Sequence, residues 1–220
     1  ERLPLSPLFQ ELEGVLQSML RPLARELRSY VAVTTELFRT LSEELGFYLG
    51  AIAFLRRIAE SGHAVVFPEL RDPAERRTEF RGLYNLYLAA HRLSARDPSP
   101  IVPNDLVLDE RNRLFVLTGP NGGGKTTFTQ AAGIAGVFAQ SGLPVPASSA
   151  VISPVDALVT HFPMEEDYSD DLGRFEDEVR RISNVFDRIG PESMVLLNEP
   201  LTSTAPMEAV EVAADVLAGF

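Results

Sequence analysis

An α/β fold, with a layered sheet preceded by an α-helical segment, is predicted by three features of the sequence. Across residues 8–60 apolar side chains recur at three- and four-residue spacing, which is the period of an amphipathic helix. From about residue 79 short apolar stretches of strand length alternate with longer helical ones, the pattern of a sheet layered with helices. Within that second part, Phe115-Val-Leu-Thr-Gly-Pro-Asn-Gly-Gly-Gly-Lys-Thr-Thr127 passes from an apolar run into a glycine-rich turn and then into a helix. Such a layout places a ligand at the carboxyl ends of the strands.

The first helical stripe is Leu8, Leu12, Val15, Leu16, Met19, Leu23 and Leu27, with Pro22 inside it as an expected break or kink. A second stripe, Leu37, Leu41, Leu45, Leu49, Ile52, Leu55 and Ile58, closes at Gly62 as a C-terminal cap. The polar stretch Arg71-Asp-Pro-Ala-Glu-Arg-Arg-Thr78 reads as a connecting loop. It sets an expected boundary near residue 78, with a helical segment over 1–78 and a second domain over 79–220. Beyond it, strands are expected over Leu83–Leu88, Leu106–Leu108 and Leu114–Thr118, then a helix over Lys125–Gln140. Strands at Ala150–Ile152 and Leu158–Phe162, a helix from about Leu172 to Ile189, the strand Met194–Leu197 and a helix after Pro206 complete the order. There is no internal repeat and no low-complexity tract.

Composition narrows the function. The chain has 220 residues, 45% hydrophobic and 23% charged, which is ordinary for a globular protein. With no cysteine it has no disulfide and no thiolate metal site. No apolar run reaches the ~18 residues of a membrane span, and Glu1-Arg-Leu-Pro-Leu-Ser-Pro7 lacks a signal-peptide layout, so a cytoplasmic location is expected. The net charge of −11 would repel a phosphate backbone, which argues against nonspecific nucleic-acid binding by this segment alone. Part of the acid lies in Glu165-Glu-Asp167 and Asp170-Asp171, read as a solvated loop.

Gly119, Gly124, Lys125 and Thr126 fit the phosphate-loop pattern G-x-x-x-x-G-K-[ST]. Glycines let backbone N–H groups curl around phosphate oxygens, and the helix opening at Lys125 adds its positive dipole end. Gly119, Pro120, Asn121, Gly122, Gly123 and Gly124 would form the cradle. Lys125 would reach the β and γ phosphates, Thr126 would offer its hydroxyl to Mg²⁺, and Thr127 a second hydroxyl near the α phosphate. ATP and Mg²⁺ are therefore the expected cofactors. Such an ATPase needs a second strand ending in acids, and Met194-Val-Leu-Leu-Asn-Glu199 stands in that place. Asn198 occupies the position of the metal-associated acid, and Glu199 that of the residue that polarises the attacking water. An asparagine brings no charge, and a lost unit charge at a few ångströms removes about 4 kcal/mol at an effective dielectric of 20, much of it offset by hydration. His63 and His91 read as structural; His161, at a strand end, reads as structural first, with lining the nucleotide as the alternative.

Ile101-Val-Pro-Asn-Asp-Leu106, Leu117-Thr-Gly-Pro-Asn-Gly-Gly-Gly-Lys-Thr-Thr-Phe128, Ala139-Gln-Ser-Gly-Leu-Pro-Val-Pro-Ala147 and Leu196-Leu-Asn-Glu-Pro-Leu-Thr-Ser-Thr204 carry a resemblance in both order and spacing. They resemble the ATPase domain of the MutS DNA mismatch-repair family, which implies an ABC-type P-loop NTPase sheet. Glu44-Leu-Gly-Phe-Tyr-Leu-Gly50 and Phe67-Pro-Glu69 resemble the helical core segment that precedes that domain. The resemblance implies that Ile101 packs on the adenine, with plain core packing as the alternative. Two positions depart from it: Asn198-Glu199 replaces Asp-Glu, and Gly173-Arg-Phe175 stands where a Ser-x-Phe signature reaches the opposite subunit's γ phosphate. The pattern resembles a divergent branch, and the chain reads as truncated within the domain at Phe220.

What the resemblance implies is a Mg²⁺-dependent ATPase with Lys125 and Glu199 as catalytic residues, working as a homodimer that sandwiches nucleotide and drives a DNA clamp. DNA contact would fall largely to other parts of the full protein, and no membrane partner is implied. A nucleotide-gated dimerisation switch with little hydrolysis is the alternative, motivated by Asn198 and Gly173.

Overall fold

The computed structural model describes residues 7–162 and 174–200. By contact the chain forms two compact units, Glu1–Ala53 and Phe54–Phe220.

The described residues of the first unit, 7–53, all lie in one helix. α1 runs over Pro7–Glu60, and the two apolar stripes lie along this single element. The break expected at Pro22 does not occur, since the helix continues through it. A proline there removes one backbone N–H and crowds the carbonyl of Ser18, a cost of ~3 kcal/mol in a helix interior. The cost is tolerated where the freed carbonyl faces water, and the residues around Pro22 are exposed. Within the stripes Leu12, Leu16, Leu23, Leu37, Leu41 and Leu45 are exposed.

In the second unit the final turns of α1 bury Leu55 and Ile58. The helix closes at Gly62 as expected: its φ is 91°, its N–H donates to Ala59 O at 3.0 Å, and the His63 N–H donates to Ile58 O at 3.4 Å. That pair of bonds is a Schellman closure, in which a residue without Cβ takes the left-handed conformation cheaply. The contact division therefore falls ahead of the polar loop at 71–78.

Next come β1 (Glu69–Leu70), β2 (Thr78–Leu83), α2 (Leu86–Ala95), β3 (Asn104–Leu108), α3 (Lys125–Gln140), β4 (Ser149–Ile152), β5 (Leu158–His161), α4 (Arg174–Phe186) and β6 (Met194–Leu197). The strands form two sheets. One has the order β1-β4-β2-β3, parallel between β1 and β4 and otherwise antiparallel; the other pairs β5 with β6 in parallel. The chain is thus mixed α/β.

α3 organises the core from both sides. Its Ala131, Ala132, Ala135 and Ala139 pack with Phe80, Leu83, Leu106, Val145 and Ile152. Ile134 and Phe138 face a second cluster of Leu55, Ile58, Tyr84, Leu86 and Ala89. Each fully buried Leu, Ile or Phe contributes ~1.5–3 kcal/mol. Small residues on α3 let it lie close to β5 and β6: a Cβ on Gly133 would stand 2.7 Å from Leu196 Cδ1, and one on Gly136 2.9 Å from Leu158 Cδ1. Close approach explains glycines that an isolated helix would disfavour by ~1 kcal/mol relative to alanine.

Two expected strands are corrected. Leu83–Leu88 is not a strand: β2 ends at Leu83 and α2 begins at Leu86. The Asn85 side-chain oxygen Oδ1 accepts from Leu88 N at 2.9 Å and so caps and starts a helix, an effect that apolar alternation alone does not reveal. Leu114–Thr118 forms no strand either, since it joins neither sheet among the described residues and Leu114, Phe115 and Val116 are exposed. Strand structure needs a ladder partner, and an apolar run supplies only the propensity. The strands expected at 106–108, 150–152, 158–162 and 194–197, and the helices at 125–140 and 172–189, have counterparts in β3, β4, β5, β6, α3 and α4. The helix expected after Pro206 lies outside the described residues.

Candidate phosphate-loop site

The glycine-rich loop depends on backbone conformations that Cβ would strain. Gly119, Gly122 and Gly124 have φ of 149°, 77° and 87°, and Gly123 N donates to Pro120 O at 3.1 Å to close the turn. Gly124 is the N-cap of α3 and brings no side chain to cap it; the first intrahelical bond is Phe128 N to Gly124 O at 2.9 Å. The N–H groups of Lys125, Thr126 and Thr127 therefore lie at the open, dipole-positive end of the helix. An anion is the natural partner for such an end when glycines precede it. Lys125 Nζ sits over the loop, donating to Gly119 O at 2.9 Å and Pro120 O at 3.1 Å. Asn121 is exposed on the same turn.

The end of β6 meets this loop. The Thr126 hydroxyl donates to Asn198 Oδ1 at 2.9 Å, joining residues 72 positions apart. Asn198 is buried, and its N–H donates to His161 O at 2.8 Å, so the β5–β6 pairing carries on one residue past β6. Glu199 follows it with a φ of 47° and an exposed side chain. A left-handed backbone at a non-glycine residue costs about 1 kcal/mol or more, and it turns Glu199 away from the direction the strand would give it.

Among the sequence-predicted residues, Gly119 to Thr127 and Asn198 are thus brought to one place. Ile101 is partly buried and packs against the cluster around Ile58, Tyr84 and Leu86. His161 is buried, with Nε2 3.6 Å from Glu178 Oε1 on α4, so its side chain faces α4. His63 lies at the close of α1, its Nδ1 3.0 Å from Ser61 Oγ. Gly173 and the acidic residues Glu165–Asp171 lie outside the described residues. No group of three or more His, Asp or Glu side chains among the described residues could hold a metal ion.

Two supporting residues escaped the sequence reading. Asn85 is buried; besides capping α2, its Nδ2 donates to Thr127 O at 2.9 Å and to Gln130 Oε1 at 3.3 Å. It ties α2 to the first turn of α3, where the loop ends. An asparagine directly before an apolar helical run was the available signal. Asn85→Ala is expected to lower stability by about 1–3 kcal/mol, from the lost cap and the lost side-chain bonds to Thr127 O and Gln130 Oε1, read in denaturant unfolding. The other is Asp105, whose carboxylate accepts from Gly82 N at 2.8 Å and from Arg81 at 3.0 Å. The Gly82 N–H, with Arg81 beside it, holds the Asp105 carboxyl below its usual range. Gly82 has a φ of 62°, so Asp105 braces a kink in β2.

A glycine loop opening a helix, with a polar strand end hydrogen-bonded to its hydroxyl, is an arrangement shared with proteins that bind nucleotide phosphates as a class. Residues 115–219 match the family model described as MutS domain V. The chain is 28% identical over 204 residues to the DNA mismatch repair protein MutS of Thermosipho melanesiensis, covering 93% of this chain and 23% of that protein. It is 32% identical over 151 residues to the endonuclease MutS2 of Thermus thermophilus, covering 67% of this chain and 19% of that protein. The chain belongs to the MutS family. It spans about a fifth of the length of these curated relatives.

Proposed function

We propose that this chain carries the ATP-binding and hydrolysing part of a MutS-like DNA repair protein, in which nucleotide drives closure of a dimer coupled to a clamp on DNA. The observation that carries the reading is the Thr126–Asn198 hydrogen bond, because it joins the helix that follows the glycine loop to the strand end bearing Glu199. Similarity to a DNA mismatch repair protein and to an endonuclease of the same family supports the link to DNA. In this reading the loop N–H groups and Lys125 hold the phosphates, and Ile101 borders the adenine. Residues 1–78 form the helical segment that transmits closure, and 79–220 form the ABC-type ATPase domain.

The residues present fit a magnesium ion carried in on the nucleotide. The Thr126 proton is committed to Asn198, which leaves the hydroxyl lone pairs free for a cation. Bound there, the ion would neutralise phosphate charge, and Asn198 would orient the Thr126 hydroxyl. Glu199 would hold the attacking water and accept its proton. The neutral Asn198 also supports a second reading, a nucleotide-gated dimerisation switch that hydrolyses little.

No helix among the described residues is long and apolar enough to cross a membrane, and a cytoplasmic homodimer is part of the proposal. Steady-state ATP turnover by the intact protein, with and without duplex DNA, tests it. Turnover that rises or falls with DNA supports the repair ATPase. ATP binding without turnover moves the assignment to the switch, and no ATP binding overturns both.

A further inference from the structure

Asn198 differs from a carboxylate in a way that the lost charge does not capture: an amide has a donor as well as an acceptor. Its acceptor half is already used, since Oδ1 takes the Thr126 hydroxyl proton at 2.9 Å. Its backbone N–H is used as well, on His161 O at 2.8 Å. The remaining polar group of the side chain is Nδ2, for which there is no hydrogen bond to the described residues. A buried side chain with one half pinned to the first turn of α3 keeps its other half beside that turn. Nδ2 is therefore an N–H donor held next to the phosphate loop, at the position where a carboxylate would place two acceptors.

The electrostatic consequence is a change of sign toward phosphate. A carboxylate at this position repels a triphosphate, and the repulsion is relieved only when a divalent cation lies between them. An amide has nothing to be relieved of, and it adds a donor to the N–H groups of the loop and the Lys125 ammonium. We propose that Asn198 is a phosphate-binding residue whose amide donates directly to the nucleotide, so that the site takes nucleotide triphosphate with little dependence on magnesium. The proposal rests on the nucleotide-binding reading above. It separates two events that a carboxylate would couple, since nucleotide can dock before the metal arrives.

The test is ATP affinity of the intact protein by calorimetry, in excess magnesium and in excess EDTA, for the parent, Asn198→Asp and Asn198→Ala, with circular dichroism confirming that each variant is folded. The parent is expected to keep its affinity within about tenfold when magnesium is removed. Asn198→Asp is expected to lose about a hundredfold or more in EDTA and to recover in magnesium, because its carboxylate faces phosphate charge at close range. Asn198→Ala is expected to lose about tenfold in both conditions, the effect of removing one donor to a charged acceptor. The proposal is overturned if the parent falls as far in EDTA as Asn198→Asp does, or if Asn198→Ala binds as tightly as the parent; ATP binding in magnesium would then still support the nucleotide site. If the parent binds ATP in neither condition, the nucleotide-binding reading fails and takes this proposal with it.

Discussion

Lys125→Ala is expected to weaken ATP binding by at least about tenfold, equivalent to about 1.4 kcal/mol or more, with the fold intact. The ammonium stands over the glycine loop, donating to the carbonyls of Gly119 and Pro120. Both acceptors belong to the exposed loop, so truncation leaves no buried charge and no cavity in the core. What is lost is the positive charge that stands over the neutral N–H groups of the loop. A hydrogen bond between charged partners is worth roughly twice a neutral one, which sets this loss above that of any single backbone N–H of the loop. Calorimetric titration of folded variant and parent checks it, and equal affinities would remove the phosphate-loop assignment.

Glu199→Gln is expected to lower steady-state turnover by about a hundredfold or more while ATP binding is kept or strengthened. The amide keeps the size of the side chain but cannot accept a proton from water. Asn198 cannot take over, because it is neutral and its carbonyl is held by Thr126. The backbone supports a special role for Glu199: a φ of 47° at a residue with a Cβ persists only where the surrounding structure imposes it. Side-by-side measurement of turnover and affinity decides the matter. Parental turnover in Glu199→Gln would place the base elsewhere, and no turnover in either protein would favour the switch.

Much of this chain is legible in its sequence because the relevant signals are local. The glycines at 119, 122 and 124 announce positive φ, and the lysine and threonine after them announce a helix start, both settled within a few residues of backbone. The three- and four-residue spacing of leucines before residue 60 and the closure at Gly62 are local in the same way. Ser61 and His63, by contrast, are drawn together by the cap that Gly62 permits, and spacing says nothing of that.

Tertiary structure decided what depends on partners distant in sequence. Leu114–Thr118 has strand composition, yet a strand exists only through a ladder partner, and the described sheets leave it out. Leu83–Leu88 could alternate as a strand or turn as a helix until Asn85 was committed to Leu88 N and, 42 residues on, to Thr127 O. The role of Asn198 is the clearest case. Sequence alone determined its place at the end of an apolar strand and its lack of charge. That its carbonyl would be consumed by the hydroxyl of Thr126, leaving its amide beside the phosphate loop, followed only from α3 packing closely on β5 and β6 through Gly133 and Gly136. A hydrogen bond needs its two atoms within about 3 Å, and for residues far apart in the chain only the packing of the elements between them brings that about.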